Sequence, residues 1–218
     1  VDEQGNRWRI PKGDVAYDQP GPLGPERVCR EVCTERDLLN VHGTFYELPA
    51  ENAGGFPLLR PIASHNFRIK DFATYRGLLC LSGVVRNPAA DNDRIIRSTD
   101  GKCALWLGSV DDLWHFGKPR GVGGPWSETA VEANVPSDPY LMTGYDQKSL
   151  ALSHASDDSV TFSIQLDFTG TGTWTRWKEL TVAADETQSY EFPRELSAYW
   201  VRLVSHQRTT ATAVFTYK

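Results

Sequence analysis

The chain has 218 residues, of which 40% are hydrophobic and 23% are charged, and its formal net charge is −5. This composition is typical of a folded globular protein and argues against intrinsic disorder. The acidic balance argues against a nucleic-acid-binding protein, which usually carries a basic excess, and no apolar run approaches the roughly 18 residues of a membrane-spanning helix.

The N-terminal region begins at Val1 with neither an initiator methionine nor a charged-then-apolar leader. We therefore expect either a mature, trimmed product or a piece of a longer protein. The run 19–25 alternates proline and glycine too densely for a helix or a central strand. Segment 26–39 has weak helical spacing of its apolar residues and predicts one short helix.

The four cysteines leave their redox state open. They are Cys29, Cys33, Cys80 and Cys103. Two disulfides are compatible with this even number, and so are buried free thiols. Cys29 and Cys33 would be neighbours only if segment 26–39 is helical. No Cys-x-x-Cys pair occurs, which argues against a zinc site.

From residue 41 the pattern changes to short strands separated by turn residues. The predicted strands are 41–48, 61–64, 69–75, 77–85, 94–97 and 102–110. Run 77–85 is almost continuously apolar, which is typical of a strand buried on both faces.

Residues 119–139 are rich in glycine and proline and predict a loop that contains a domain boundary. We place one domain at 1–130 and a second at 131–218. The predicted strands of the second domain are 149–153, 160–168, 174–182, 187–192, 198–204 and 211–217. Strands at this spacing predict an antiparallel, jelly-roll-like β-sandwich. Trp174 and Trp177 are three apart, so one should be in the core and the other could offer a platform for a sugar.

The first domain carries a resemblance to a known architecture. Residues 75–83, followed by 100–108 and 111–119, resemble neighbouring inner strands of β-propeller blades. Residues 98–101 approach the Asp box of sialidases but lack the residue between aspartate and glycine. Residues 41–126 thus resemble the C-terminal part of secreted bacterial propeller proteins, which include sialidase-like hydrolases and propeller polysaccharide lyases.

The resemblance implies an all-β fold of partial, propeller-like blades followed by the sandwich. It also implies a secreted or periplasmic location and a polysaccharide or oligosaccharide partner, with no nucleic-acid partner. Because 218 residues cannot hold a complete propeller beside a sandwich, it further implies a partner chain, or another part of the same protein, that completes the blades.

Segment 42–76 concentrates side chains suited to acidic sugars. The guanidinium groups of Arg60, Arg68 and Arg76 can bind a carboxylate bidentately, so they are candidate substrate-binding residues. The alternative is that these side chains make structural hydrogen bonds at strand ends and in loops.

The same segment offers groups for catalysis. A lyase needs a base to remove the proton next to the carboxylate, and the candidates are His65, Tyr75 and His42. A glycoside hydrolase needs two carboxyl groups instead, and the candidates are Glu47, Glu51 and Asp71.

A second cluster combines aromatic and basic residues. Its candidate substrate-binding residues are Trp114, Lys118, Arg120 and Trp126. Exposed indole faces stack on sugar rings, and the cations would attract acidic groups. The alternative is that Trp114 and its neighbour Phe116 pack a domain interface.

No cofactor is predicted, with calcium as the alternative. The oxygen ligands that calcium prefers are offered by Asp91, Asn92, Asp93 and Asp100, but their spacing fits no EF-hand loop. An ordinary solvated turn explains the same residues.

The motifs of several enzyme classes are missing: G-x-S-x-G, a nucleotide-binding glycine loop and H-E-x-x-H. The sequence therefore predicts a carbohydrate-active protein that acts on or binds an acidic glycan, as a glycoside hydrolase or a polysaccharide lyase. The alternatives are a non-catalytic carbohydrate-binding or adhesion module and a structural part of a larger assembly.

Overall fold

A computed structural model describes residues 1, 5–20, 24–32, 36–83 and 93–218. Within these ranges the chain forms four antiparallel sheets of four strands each, and the longest helix is a 3-10 helix of seven residues. The prediction of an all-β fold is confirmed.

The first eight strands are β1 (Arg27–Val32), β2 (Arg36–Val41), β3 (Thr44–Leu48), β4 (Arg60–Ser64), β5 (Phe72–Tyr75), β6 (Leu78–Ser82), β7 (Ile95–Arg97) and β8 (Ala104–Gly108). The other eight are β9 (Gly121–Val131), β10 (Tyr140–Leu141), β11 (Lys148–His154), β12 (Val160–Asp167), β13 (Trp174–Val182), β14 (Thr187–Glu191), β15 (Trp200–Ser205) and β16 (Thr209–Tyr217). Short 3-10 helices span Val15–Asp18, Glu51–Ala53, Phe56–Leu58 and Val110–Phe116.

The chain divides into two compact units. The blade unit is Lys12–Pro119, and the sandwich unit combines Val1–Pro11 with Arg120–Lys218. This division differs from the boundary placed at residue 130. The N-terminal segment joins the sandwich unit because the backbone of Arg9 donates to Pro139 and accepts from Leu141, both at 2.9 Å.

The blade unit contains two sheets around one hydrophobic cluster. The first sheet has the strand order β1-β2-β3-β4, a simple meander, and the second has the order β5-β6-β8-β7, so that β8 lies between β6 and β7. Consecutive strands therefore pair throughout the first sheet but not throughout the second.

The helix predicted for 26–39 is wrong, because the segment holds β1 and most of β2. Val28 and Val32 are buried on one face of β1. A spacing of four residues places two side chains on the same face of a strand as well as of a helix. The pair Val28 and Val32 could therefore not distinguish a strand from a helix.

The second sheet of the blade unit leaves apolar side chains on its outer face. Tyr75, Leu78, Ile96 and Leu105 are 44 to 63% exposed, and we call them the outer apolar face. Strand β6 was predicted to be buried on both faces. Of its five residues, only Leu79 and Leu81 are buried, and both lie on its inner face.

The sandwich unit has two sheets around a second cluster, with the orders β10-β15-β12-β13 and β14-β11-β16-β9. The alternation predicted for 160–168 places Val160, Phe162, Ile164 and Leu166 in this core, each with no exposed surface. Two antiparallel sheets of four strands therefore share this core.

Strand β9 corrects the prediction of a loop over 119–139. It pairs with β16 from Gly121 to Val131 with two register shifts. A Cβ atom at Gly124 would lie 1.8 Å from the carbonyl oxygen of Ala213, so the glycine permits a close approach of the two backbones. Pro125 is tolerated because β9 is an edge strand at an irregular register.

Trp174 and Trp177 also depart from the prediction, since neither belongs to the core. The ladder of β12 and β13 shifts register between Ile164 and Gln165, which inserts one extra residue near Trp177. Trp177 donates to the Tyr190 hydroxyl at 3.0 Å, and Trp174 stacks against Arg202 at 4.3 Å.

Candidate functional site

The blade unit contains a hollow of about 130 Å³ that brings two predicted site residues, His42 and Arg68, together. Its other polar walls are Tyr17, Asp18, Glu26 and Arg27, with Gln19, Pro20 and Pro25 beside them. We call it the Glu26 hollow.

Register places Glu26 next to His42. Strands β1 and β2 pair from Val32↔Arg36 to Arg27↔Val41. Glu26 and His42 are therefore the next residues beyond the open end of this ladder, one beside each of the two neighbouring strands. A carboxylate and an imidazole thus meet through strand pairing across a sequence separation that no local motif reveals.

His42 is the first central residue of the tight turn between β2 and β3. Val41 pairs with Thr44, and the two residues between them, His42 and Gly43, have φ angles of 52° and 80°. Two left-handed residues in a two-residue hairpin define a type I′ turn. This conformation holds the His42 backbone in one geometry.

Three contacts hold the turn in place. The backbone of Gly13 donates to the His42 carbonyl at 2.9 Å, and His65 donates through its backbone to the Gly43 carbonyl at 2.8 Å. A Cβ atom at Gly43 would lie 2.3 Å from the Tyr17 ring, so this ring packs directly on the turn. The wall that carries His42 is therefore fixed from several sides.

Glu26 forms a buried ion pair at the end of the hollow. Its side chain is 3% exposed, and its Oε1 lies 3.1 Å from Arg68 Nη1 and 3.7 Å from Lys70 Nζ. Both cations act on the same oxygen. The second oxygen, Oε2, is buried and has no hydrogen-bond partner among the residues that the structure describes.

His42, which lines the same hollow, shows the same pattern. Its Nδ1 is buried and likewise lacks a partner within the described part of the chain. Burial lowers the pKa of His42, the cations Arg27 and Lys12 lower it further, and Asp18 opposes them. The imidazole is therefore neutral near pH 7, and it can accept or donate one hydrogen bond at that nitrogen.

Arg68 donates hydrogen bonds to other groups of the protein. Nη1 donates to the Gln19 carbonyl at 3.2 Å and to Glu26, and Nη2 donates to the Ala16 carbonyl at 2.8 Å. Its guanidinium also stacks on the Tyr17 ring at 5.2 Å. These contacts make Arg68 a positioning group for Glu26.

His65 is 3% exposed and lies behind Tyr17, not on the surface where a catalytic base was predicted. The backbone N–H of Phe67 donates to Nδ1 at 3.1 Å, so the proton is on Nε2, which donates to Asn40 Oδ1 at 2.8 Å. Both ring nitrogens are engaged, which is the arrangement of a structural histidine.

The remaining candidates of segment 42–76 lie elsewhere. Arg60 pairs with Glu47 at 3.0 Å on the surface. Tyr75 and Arg76 belong to the turn between β5 and β6, where the Arg76 guanidinium stacks over the Tyr75 ring at 5.3 Å. The predicted convergence of basic and imidazole groups is thus limited to His42 and Arg68.

The second predicted cluster is spread over both units. Trp114 is 63% exposed on a 3-10 helix of the blade unit, and Lys118 is exposed near its end. Arg120 is exposed at the start of the sandwich unit. Trp126 is 6% exposed and packs against Phe162 in the sandwich core, so it cannot offer an open indole face.

The carboxyl groups of the Glu26 hollow were not predicted. Of the predicted ones, Asp71 pairs with Arg30 at 3.1 Å and Glu51 is exposed on a 3-10 helix. Glu26 was assigned to a helix start and Asp18 to a proline-rich segment. The one available signal was a charged residue directly before an apolar strand, which is too common to be diagnostic.

The described residues contain no group of three or more histidine, cysteine, aspartate or glutamate side chains that could hold a metal ion. Of the calcium candidates, Asp91 and Asn92 lie outside the described residues. The Oδ1 of Asp100 accepts from Ser98 Oγ at 2.6 Å and from the Lys102 backbone at 3.1 Å, as in a turn.

Three cysteines, Cys29, Cys80 and Cys103, are free thiols. Cys33 lies outside the described residues. Across the described ranges, no helix is both long enough and apolar enough to cross a membrane.

Comparison with known proteins gives distant likenesses only. No family model and no curated protein matches the chain. The crystal structure of PirA superposes with a TM-score of 0.25 and 19% identity over 45% of this chain and 84% of that one. The GH32 beta-fructofuranosidase BmSUC1 of Bombyx mori gives 0.22 and 8% identity, and a variant in complex with sucrose gives 0.23 and 6%.

These two enzyme superpositions cover 90% and 86% of this chain and 55% and 53% of the enzyme. The chain thus spans about half the length of those structures. TM-scores this low assign neither a fold family nor an activity.

Proposed function

We propose that this chain is a carbohydrate-active protein whose Glu26 hollow holds the hydroxyl-bearing end of an acidic glycan. One observation supports the proposal. Glu26 and His42 both line the same hollow, and each carries a buried atom, Oε2 and Nδ1 respectively, that has no hydrogen-bond partner among the described residues. Buried polar atoms are nearly always paired, so their partners are expected to come from a molecule in the hollow.

The hydrogen-bonding roles of these two atoms limit which groups the ligand can present to them. A carboxylate oxygen only accepts hydrogen bonds, so the group that meets Glu26 Oε2 must be a donor. A neutral imidazole nitrogen takes either role. Sugar hydroxyl groups donate and accept, and two adjacent hydroxyls would satisfy both walls. Arg27, on the same hollow, would attract the acidic group of the glycan.

The same groups suit two reactions. For a polysaccharide lyase, the neutral imidazole of His42 is the base that removes the proton next to a uronate carboxylate. For a glycoside hydrolase, Glu26 and Asp18 are the two carboxyl groups. We propose further that the protein acts in a secreted or periplasmic setting, where polysaccharides are met.

The architecture is part of the proposal. We propose that the sandwich unit is a jelly roll, because its eight strands are divided between two four-stranded antiparallel sheets in the orders given above. We propose that the blade unit is a portion of a propeller, completed by another chain or by further residues of the same protein. The exposed outer apolar face of its second sheet supports this.

The test measures binding and turnover together. Oligosaccharides of galacturonate, glucuronate and sialate, with neutral glucans for comparison, are titrated calorimetrically, and products are followed as unsaturated uronate and as new reducing ends. His42→Asn keeps a residue that tolerates the left-handed turn, and Glu26→Gln keeps the shape of the side chain. Each should weaken binding about tenfold or more, since each removes a hydrogen bond that involves a buried group.

Arg60→Gln is the matched control, because Arg60 lies on the surface away from the hollow. It should bind and turn over like the unaltered chain. Unsaturated products would identify a lyase, new reducing ends a hydrolase, and binding without products a non-catalytic module. Equal affinity of His42→Asn, Glu26→Gln and the unaltered chain for every sugar would refute the proposal.

A further inference from the structure

A second hollow lies in the sandwich unit, between the loop that follows β10 and the loop that follows β14. It measures about 470 Å³, and its walls include Thr143, Asp146, Lys148, Arg194 and Leu196. None of these residues belongs to the Glu26 hollow.

Lys148 is the unusual group of this hollow. It is the first residue of β11, and its side chain is buried, with the residue 5% exposed. Its Nζ donates to the Leu196 carbonyl at 3.1 Å. An ammonium group has three N–H donors, so this bond satisfies one of them.

The surroundings of Lys148 disfavour the charged form of its amine. Burial lowers the pKa of Lys148, and the Asp146 carboxylate opposes this effect. A buried cation is stable when acceptors replace its lost water. Lys148 also lines an open hollow, where a ligand can supply those acceptors.

We propose that the hollow at Lys148 binds a single small anionic group, a carboxylate or a sulfate. Arg194, exposed on the same hollow, adds a second cation. Asp146 and Glu195 also line it, and their charge disfavours a polyanion. The Thr143 hydroxyl is a further donor on the wall. The site therefore fits one acidic substituent, and its occupancy does not depend on the Glu26 hollow.

The test follows the chemical reactivity of the Lys148 amine in the unaltered chain. The protein is treated with an acylating reagent, with and without glucuronate, inorganic sulfate or uncharged glucose, and each lysine is quantified by mass spectrometry. Glucuronate should slow the labelling of Lys148 about fivefold or more, as expected when a charge-assisted hydrogen bond occupies the amine. Lys178, exposed on β13, is the internal control and should not change.

Two substitutions complete the experiment. Lys148→Met removes the charge at similar volume and should abolish glucuronate binding in calorimetry, while Lys178→Met should not. A melting curve confirms that each variant is folded, and the labelling result stands alone if Lys148→Met does not fold. Protection by sulfate as well as glucuronate identifies a general anion site, and protection by glucuronate alone identifies a sugar-acid site. No protection of Lys148 by either anion at millimolar concentration overturns the proposal.

Discussion

Glu26 directly precedes β1 and His42 directly follows β2, both residues line one hollow, and each carries a buried polar atom with no hydrogen-bond partner among the described residues. Neither residue is close to the other in sequence. Their proximity follows from the register Arg27↔Val41, so any change that shifts this register separates them. Several consequences of this geometry can be measured.

The Glu26 ion pair should contribute more to stability than a surface pair of the same chemistry. Glu26→Gln leaves Arg68 and Lys70, both about one-fifth exposed, without a countercharge. Breaking a buried pair by removing one partner should cost about 3 kcal/mol. Urea denaturation measures this. Glu47→Gln, which breaks the exposed pair with Arg60, should cost about 1 kcal/mol or less. Equal losses would mean that Glu26 is effectively solvated.

His42 should make stability fall as the pH is lowered. Its pKa lies below the ordinary value of 6.5 in the folded chain. Above that value the imidazole is neutral in both states. Below it the unfolded chain takes up a proton first, so the folded state loses stability until the pH passes the lowered folded pKa.

His42→Asn removes this group and keeps the turn. The free energy of unfolding of the variant should therefore fall less than that of the unaltered chain between about pH 7 and about pH 5. Urea titrations at both pH values measure the difference, which isolates His42 from every other titrating group. Parallel pH profiles would show that the folded chain does not depress its pKa.

Gly43 and Gly77 form a matched pair for testing how the turn is packed. Both are the second residue of a tight hairpin turn, with φ angles of 80° and 82°. A Cβ atom at Gly77 would meet nothing within 4 Å, whereas one at Gly43 would meet the Tyr17 ring at 2.3 Å. Gly77→Ala should cost about 1 kcal/mol from backbone strain alone.

Gly43→Ala should cost about 2 kcal/mol more, because the Tyr17 ring must also move. Displacing Tyr17, whose hydroxyl donates to the Phe67 carbonyl at 2.5 Å, should also weaken sugar binding in the Glu26 hollow. Thermal denaturation and calorimetric titration of both variants measure the two effects. Similar stabilities of the two alanine variants would contradict the packing of Tyr17 on the turn.

The outer apolar face should make the isolated chain associate. Ile96 and Leu105 are cross-strand partners there, 56% and 44% exposed. Exposed apolar patches of this kind drive association. Size-exclusion chromatography with light scattering should give a mass above 24.4 kDa that rises with concentration.

The double variant Ile96→Lys with Leu105→Glu places opposite charges on neighbouring strands and should restore a monomer without unfolding the sheet. Val135→Lys, at an exposed site of the sandwich unit, is the control and should leave association unchanged. A concentration-independent monomer for the unaltered chain would contradict this prediction.

Strand positions were predicted well where burial follows an alternating pattern. Residues 160–168 alternate, and Val160, Phe162, Ile164 and Leu166 are fully buried in β12, whereas Phe168, just beyond the strand, is 41% exposed. Local glycines misled the prediction at β9, where Gly124 allows close backbone approach rather than flexibility. A register shift near Trp177 changed which face it occupies, and such shifts depend on the neighbouring strand.

The sequence by itself determined that the chain folds mainly into β-strands and that its C-terminal part is a sandwich, because the period of apolar residues is a local property of the chain. It also singled out His42 and Arg68, which the structure brings to one hollow. Only the tertiary structure decided that Glu26 joins them, that His65 and Trp126 are interior, and that Lys148 lies on the wall of a hollow. Pairing register and burial depend on residues far apart in sequence, and no local pattern encodes which polar atoms remain unpaired when the strands have met.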